Sequence, residues 1–207
     1  MSRLVNYAQR SPEWYAARLG LATGSRFADI IAKTRSGYST TRKNYAAELA
    51  TERLTGIQAE NFTSAAMTWG TDTEPVARLE YELTTGNTVE ETGFWTHDTL
   101  KAGASPDGFV GEDGLIEIKC PNPATHIETL QTGKVPRQYV AQIQGQMWIT
   151  NRKWCDFVSY DPRMPQNAQL FITRVERDDE FIAELEREVT DFLGEVAELV
   201  EFIKNYK

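Results

Sequence analysis

Seven apolar residues, Ile182, Leu185, Val189, Phe192, Val196, Leu199 and Ile203, recur at intervals of three and four in strict alternation. That spacing lays one apolar seam along an α-helix, expected over residues 178–204 and roughly 40 Å long at 1.5 Å per residue. A seam of this length needs a partner surface. Its own domain is one such surface, and a subunit or partner protein is the alternative. The stretch also dominates the charge. Of a net −8, the segment from Arg174 to Lys207 holds 5 basic and 11 acidic residues, and the rest of the chain carries only −2. Residues 26–43 are locally basic at +4. A basic patch on an acidic body is compatible with DNA, because phosphate attraction decays within about 8–10 Å. A solvated loop with scattered charge is the other reading.

Hydrophobic residues at 41% and charged residues at 25% exclude a disordered or collagen-like chain. No apolar run approaches the roughly 18–20 residues of a membrane span, and the N-terminus lacks a signal-peptide core. Two cysteines, Cys120 and Cys155, cannot build a secreted-type disulfide framework and read as buried thiols. A soluble protein of the cytoplasm is expected. With no linker or internal repeat, residues 1–207 are expected to form a single domain.

Ser11-Pro12-Glu13 starts a helix that ends at Gly20, and Ser25 stands as the cap of a second. Residues 34–41, rich in Ser, Thr and Gly, read as a mobile loop. Lys43–Leu54 forms a third helix closed by Gly56. A further helix holds Trp69, Val76, Leu79, Tyr81 and Leu83, its start obscured by Pro75. The period then changes. Residues 88–97, 115–120, 153–160 and 169–175 read as strands, with 136–150 helical between them. This order implies an α/β fold with a central mixed β-sheet flanked by helices.

The chemistry concentrates in Ser105-Pro106-Asp107-Gly108 and Leu115-Ile116-Glu117-Ile118-Lys119-Cys120-Pro121. Strand alternation puts Glu117 and Lys119 on one face, with Ile116 and Ile118 on the other. Turns at 106–108 and 112–114 fold Asp107 back beside them. Two carboxylates with water and phosphate suit Mg²⁺, and a lysine beside them can orient or help deprotonate an attacking water. A solvated strand face carrying a Glu–Lys pair is the alternative.

The chain resembles the bacteriophage lambda exonuclease family, the YqaJ-type viral recombinases of the PD-(D/E)xK nuclease superfamily. The resemblance rests on Ala17-Arg-Leu-Gly-Leu-Ala-Thr-Gly-Ser25, Ile31-Ala-Lys-Thr-Arg-Ser-Gly37, Trp69-Gly-Thr-Asp-Thr-Glu74, the two stretches around Asp107 and Glu117, Ala141-Gln-Ile-Gln-Gly-Gln-Met-Trp148 and Tyr160-Asp-Pro-Arg-Met164. These occur in the family's order. The resemblance implies a restriction-endonuclease-like core and a Mg²⁺-dependent 5′→3′ exonuclease of linear double-stranded DNA that leaves 3′ single-stranded tails. Two Mg²⁺ ions are implied, with Mn²⁺ as a substitute. Asp107, Glu117 and the Ile118 carbonyl would bind metal, and Lys119 would position the water. Glu74 matches the family's upstream acid, although Thr71-x-x-Glu74 also reads as a capping box. In the row Gln138, Gln142 and Gln146, only Gln142 matches a site residue. Arg18, Ser25 and Ser105 match the 5′-phosphate pocket, where an arginine that merely caps its helix and faces water is the alternative for Arg18. Arg35 matches a minor-groove contact. Met67 stands at the position of a strand-splitting wedge, against an ordinary core methionine. The resemblance further implies a ring-shaped homotrimer, a single-strand annealing protein as partner, and a phage or prophage origin in a bacterial host. A site-specific endonuclease on the same scaffold and a non-catalytic recombination scaffold are the rival readings.

Overall fold

The computed structural model describes residues 2–58 and 64–207. β1 (Arg3–Val5) precedes α1 (Pro12–Arg18), where Ser11 Oγ accepts from the Trp14 N–H and Pro12 fills the first turn. β2 (Ala22–Thr23) runs into a 3-10 turn over Gly24–Arg26 and then α2 (Phe27–Ile31). The expected serine cap is absent. The chain already turns at Gly24, so Ser25 lies inside the turn and no side chain caps α2.

The stretch expected to be a mobile loop is a hairpin of β3 (Lys33–Thr34) and β4 (Gly37–Tyr38), with Arg35 and Ser36 at its tip. Thr34 Oγ1 accepts from the Ser36 N–H and donates to the Gly37 carbonyl, which closes the turn from within. α3 (Thr40–Thr55) closes on Gly56 at φ 68°. α4 (Ala65–Thr85) starts at the Ser64 cap and continues through Pro75.

β5 (Val89–Glu90), β6 (Phe94–Thr96), β7 (Ala102–Ala104), β8 (Gly108–Val110) and β9 (Gly114–Lys119) follow. Then come α5 (Pro123–Thr132), α6 (Arg137–Thr150), β10 (Trp154–Tyr160), β11 (Leu170–Glu176) and α7 (Asp179–Lys204). The mixed sheet has the order β11-β10-β9-β8-β5 and is parallel only between β9 and β10. A second sheet, β1-β6-β7-β2, takes strands that the sequence alone did not separate from the first. Ser105, Pro106 and Asp107 are the link between β7 of one sheet and β8 of the other.

The seam of α7 docks on its own chain. Leu185, Val189, Phe192 and Val196 are buried with Phe27, Ile30, Tyr45 and Leu49, and Ile182 is buried as well, whereas Leu199 and Ile203 are exposed. Arg42, only 2% exposed, ties this helix to α3. It donates to Glu188, Glu195 and the Ile30 carbonyl, and its guanidinium lies 3.9 Å from the Tyr38 ring. Glu188 also accepts from Lys33 and Tyr38, so the hairpin is anchored to α7. Cys155 is buried and Cys120 partly so. Among the described residues, no helix is long and apolar enough to cross a membrane.

Candidate active site

β9 is buried on both faces except at Lys119, so the alternative of a solvated strand face does not hold. Ile116 and Ile118 pack against Ala77, Tyr81 and Val158, while Leu115 packs against Ile143 and Met147 of α6. Glu117 is therefore a carboxylate with 1% exposure. Burial at this cost requires donors. Its Oε1 accepts from Gln142 Nε2 at 2.5 Å and Lys119 Nζ at 2.5 Å, and its Oε2 from Gln146 Nε2 at 2.6 Å. Antiparallel pairing of Gly108 with Ile116 brings Asp107 alongside, and its Oδ2 accepts from the Ile118 N–H at 2.6 Å.

Asp107, Glu117 and Glu74 line one cleft with Lys119, Gln142 and Met67. Burial, then the negative charges of Glu117 and Glu74, push the Asp107 carboxyl well above the usual range. Burial alone would lower the Lys119 ammonium, but the charges of Glu117 and Asp107 and its bond to Glu117 raise it. Such mutual repulsion of carboxylates is what an added cation relieves. The donors are hard oxygens, as Mg²⁺ prefers. Among the described residues no three His, Cys, Asp or Glu side chains could hold an ion by themselves, so water and phosphate oxygens would complete a shell. Glu74 lies inside α4, where Thr71 Oγ1 donates to the Met67 carbonyl. The capping box is thereby overturned. Glu74 is paired with Arg10 at 2.7 Å and Arg78 at 3.7 Å.

A second, cationic pocket adjoins. The Arg18 guanidinium lies 4.0 Å from the Trp14 ring centroid and 5.4 Å from that of Phe94. Arg18 Nη1 donates to Ser105 Oγ at 3.4 Å, and Trp14 Nε1 donates to the same oxygen at 3.0 Å. Arg18 therefore does not simply face water. Burial lowers it to about 10, against the opposing influence of Tyr45, Tyr15 and Glu52, so it remains a cation at neutral pH. Ser25, exposed, lines this pocket with Arg18 and Arg26. Met67, 55% exposed, is not a core residue; it lines both the pocket and the acidic cleft. Arg35 lies in neither, but at the exposed hairpin tip.

Two residues of this region escaped the sequence reading. Gln146 had a signal, the four-residue row with Gln142, but what covers that face, Glu117 and the Ser105 carbonyl, comes from 29 and 41 residues away. Arg10 had none, because its role depends on a left-handed backbone, φ 68°, and on a partner 64 residues away.

The profile of the YqaJ-like viral recombinase domain matches residues 13–153. The chain belongs to that family. It is 53% identical to the alkaline exonuclease LHK-Exo from Laribacter hongkongensis, over 94% of this chain and 96% of that one, with a TM-score of 0.87. LHK-Exo is also known in complex with dAMP, where the identity is 52%. A phage-related exonuclease from Haemophilus somnus 129PT shares the fold, with a TM-score of 0.70 over 88% of this chain and 96% of that one at 18% identity. ExoD of Escherichia coli (strain K12) is 32% identical over 60 residues, 29% of this chain and 68% of that protein.

Proposed function

We propose that the protein is a Mg²⁺-dependent 5′→3′ exonuclease of linear double-stranded DNA that leaves 3′ single-stranded tails for recombination by strand annealing. One observation carries this reading: the acidic cleft and the cationic pocket share Arg10 and Met67 as common lining. A terminal nucleotide would span them, its 5′-phosphate against Arg18, Ser25 and Ser105 and its 3′-phosphodiester against Asp107 and Glu117. Hydrolysis there releases one mononucleotide and leaves a new 5′-phosphate on the shortened strand. The likeness to LHK-Exo supports the assignment, as does that protein's complex with dAMP, a deoxynucleoside monophosphate.

Asp107, Glu117 and the Ile118 carbonyl would hold two Mg²⁺ ions, or Mn²⁺, which supply Lewis acidity toward the phosphoryl oxygens and acidify the attacking water. Gln142 and Gln146 fix the Glu117 carboxylate, Lys119 positions the water, and Glu74 adds negative charge at the rim. Met67 would wedge between terminal base pairs, and Arg35 would enter the minor groove from its hairpin. Three chains of −8 in a ring-shaped homotrimer would carry −24. Such an exterior repels DNA and favours threading past the basic residues 26–43. A single-strand annealing protein would take up the 3′ tail. The setting is the cytoplasm of a bacterial host, with a phage or prophage gene.

The test is digestion in Mg²⁺ of linear duplex, with 5′-phosphate or 5′-hydroxyl ends, beside closed circular duplex. Loss of the linear DNA alone supports the reading, and cutting of the circle favours a site-specific endonuclease. Arg18→Ala should lower the preference for 5′-phosphate by roughly 10- to 150-fold, the worth of a bidentate charge-assisted contact. An unchanged preference would remove Arg18 from the pocket's function.

A further inference from the structure

Among the described residues, Arg10 is the one cation that lines three neighbouring clefts. It borders the pocket of Arg18 and Ser25, the cleft of Asp107, Glu117 and Lys119, and a third opening that also reaches Glu74 and Asp107. Its backbone takes a left-handed conformation, φ 68°. Among the described residues, only Asn151 shares that region without being glycine, and Asn151 closes α6, an ordinary place for asparagine. For arginine the conformation is strained and persists only where its surroundings over-determine it. They do so here. Gln9 Nε2 donates to the carbonyls of Pro106 at 2.8 Å and Thr92 at 3.1 Å, and Ser11 begins the helix that carries Arg18. Arg10 is thus clamped between the residue before Asp107 and the helix of the end pocket.

The side chain so placed is under-used. Among the described residues it makes one ion pair, from Nη2 to Glu74 Oε2 at 2.7 Å, and it is 44% exposed. A guanidinium has five donors in a planar fork that matches phosphate in two places. A phosphate also carries more negative charge than the Glu74 carboxylate, which keeps Arg78 as a second cation at 3.7 Å.

We propose that Arg10 is a phosphate-exchange residue, its guanidinium leaving Glu74 for the phosphate of the terminal nucleotide lying between the two clefts. This rests on the nuclease reading above. When the fork moves to phosphate, the charge of Glu74 is left to the acidic cleft, and when the phosphate departs the ion pair re-forms. End binding and the acidic cleft are then linked through one side chain.

The experiment measures binding of a 5′-phosphorylated linear duplex in EDTA at several salt concentrations. It compares the full chain with Arg10→Gly, Glu74→Gln and the double variant. Glycine adopts φ 68° without strain, so Arg10→Gly should melt at or above the wild-type temperature. Arg10→Asn, also tolerant of this conformation, repeats the measurement. Arg10→Gly should bind about ten-fold more weakly, and its salt slope should fall by about one phosphate contact. Glu74→Gln should bind more tightly than wild type, but not when Arg10 is already glycine. Unchanged affinity in Arg10→Gly, a loss of affinity at unchanged salt slope, or an equal gain from Glu74→Gln in both backgrounds overturns the assignment. Wild-type digestion of the same duplex in Mg²⁺ is measured alongside. Its failure would overturn the nuclease reading, whereas digestion by wild type with unaltered Arg10→Gly binding overturns the Arg10 proposal alone.

Discussion

Glu117 and Glu188 are both buried carboxylates, and their surroundings are opposite. Glu188 has Arg42 and Lys33 as cations and the Tyr38 hydroxyl as a further donor, and Arg42 also reaches Glu195. Two cations face two anions, and the cluster is closed. Glu117 has one cation, Lys119, and two neutral amides, and Asp107 beside it is a second carboxylate facing that same lysine, whereas Glu74 in the same cleft is paired with Arg10 and Arg78. That cluster is open and over-charged. A balanced network fixes a fold, here the β3–β4 hairpin on α7. A network with surplus charge facing a cleft stores repulsion that only a ligand of opposite sign can relieve, so it marks function.

The sharpest way to break this contrast is to neutralise the surplus. Asp107→Asn keeps an oxygen for the Ile118 N–H, so the variant should fold. It should abolish Mg²⁺-dependent cleavage and raise the melting temperature in EDTA, because a repelled carboxylate is gone. A lower melting temperature would show that the cleft is balanced after all. In the closed cluster the same kind of change should do the reverse. Arg42→Met should cost about 3 kcal/mol of stability by leaving the buried Glu188 carboxylate short of a cation, while the folded fraction still cuts DNA. Chemical denaturation beside a cleavage assay separates the two effects.

Gln146 tests the boundary between the classes, being fully buried yet bonded to Glu117. Gln146→Met should raise the Mg²⁺ concentration needed for half-maximal activity by about 10- to 100-fold, as loss of a metal ligand's partner generally does. An unchanged requirement would make Gln146 mere packing. The smallest effect concerns acid. Burial would raise Glu188, but bonds from Lys33 and Tyr38 and the charges of Lys33 and Arg42 outweigh it and hold the carboxyl below its ordinary 4.5. Its contribution to stability is therefore full above pH 4.5 and lost as pH falls through the lower folded value. Glu188→Gln should flatten that acid limb of the stability profile.

How much of this was legible in the sequence differs between the same two regions. Asp107, Glu117 and Lys119 could be placed together because strand alternation and short turns are local rules. The 3-4 spacing likewise announced α7, and its first five seam positions are buried. The partners of Glu188 could not be read, since Lys33 and Arg42 lie 155 and 146 residues away and residues 34–41 carry no strand-like pattern. Ser25 failed as a cap because Gly24 turns the chain first. Gln146 stood only as a member of the row Gln138, Gln142 and Gln146, because periodicity reports which face a residue occupies, not what covers that face. The split of the strands into two sheets was hidden for a similar reason, since pairing partners are set by tertiary packing.

The docking of α7 has a consequence in time. Arg42 and Glu188 meet across 146 residues, and α7 comes last of the described elements in chain order. At about 5–20 residues per second, synthesis takes roughly 7–30 s to span that interval. Until then Phe27, Tyr45 and Leu49 lack their cover, and the hairpin bearing Arg35 has nothing to hold it. The emerging chain offers a broad apolar face to chaperones for that period, and non-local closure of this kind is intrinsically slow. The acidic cleft is complete only once β10 has paired with β9 and Arg163 has emerged, and the surface that carries Arg35 follows when α7 docks.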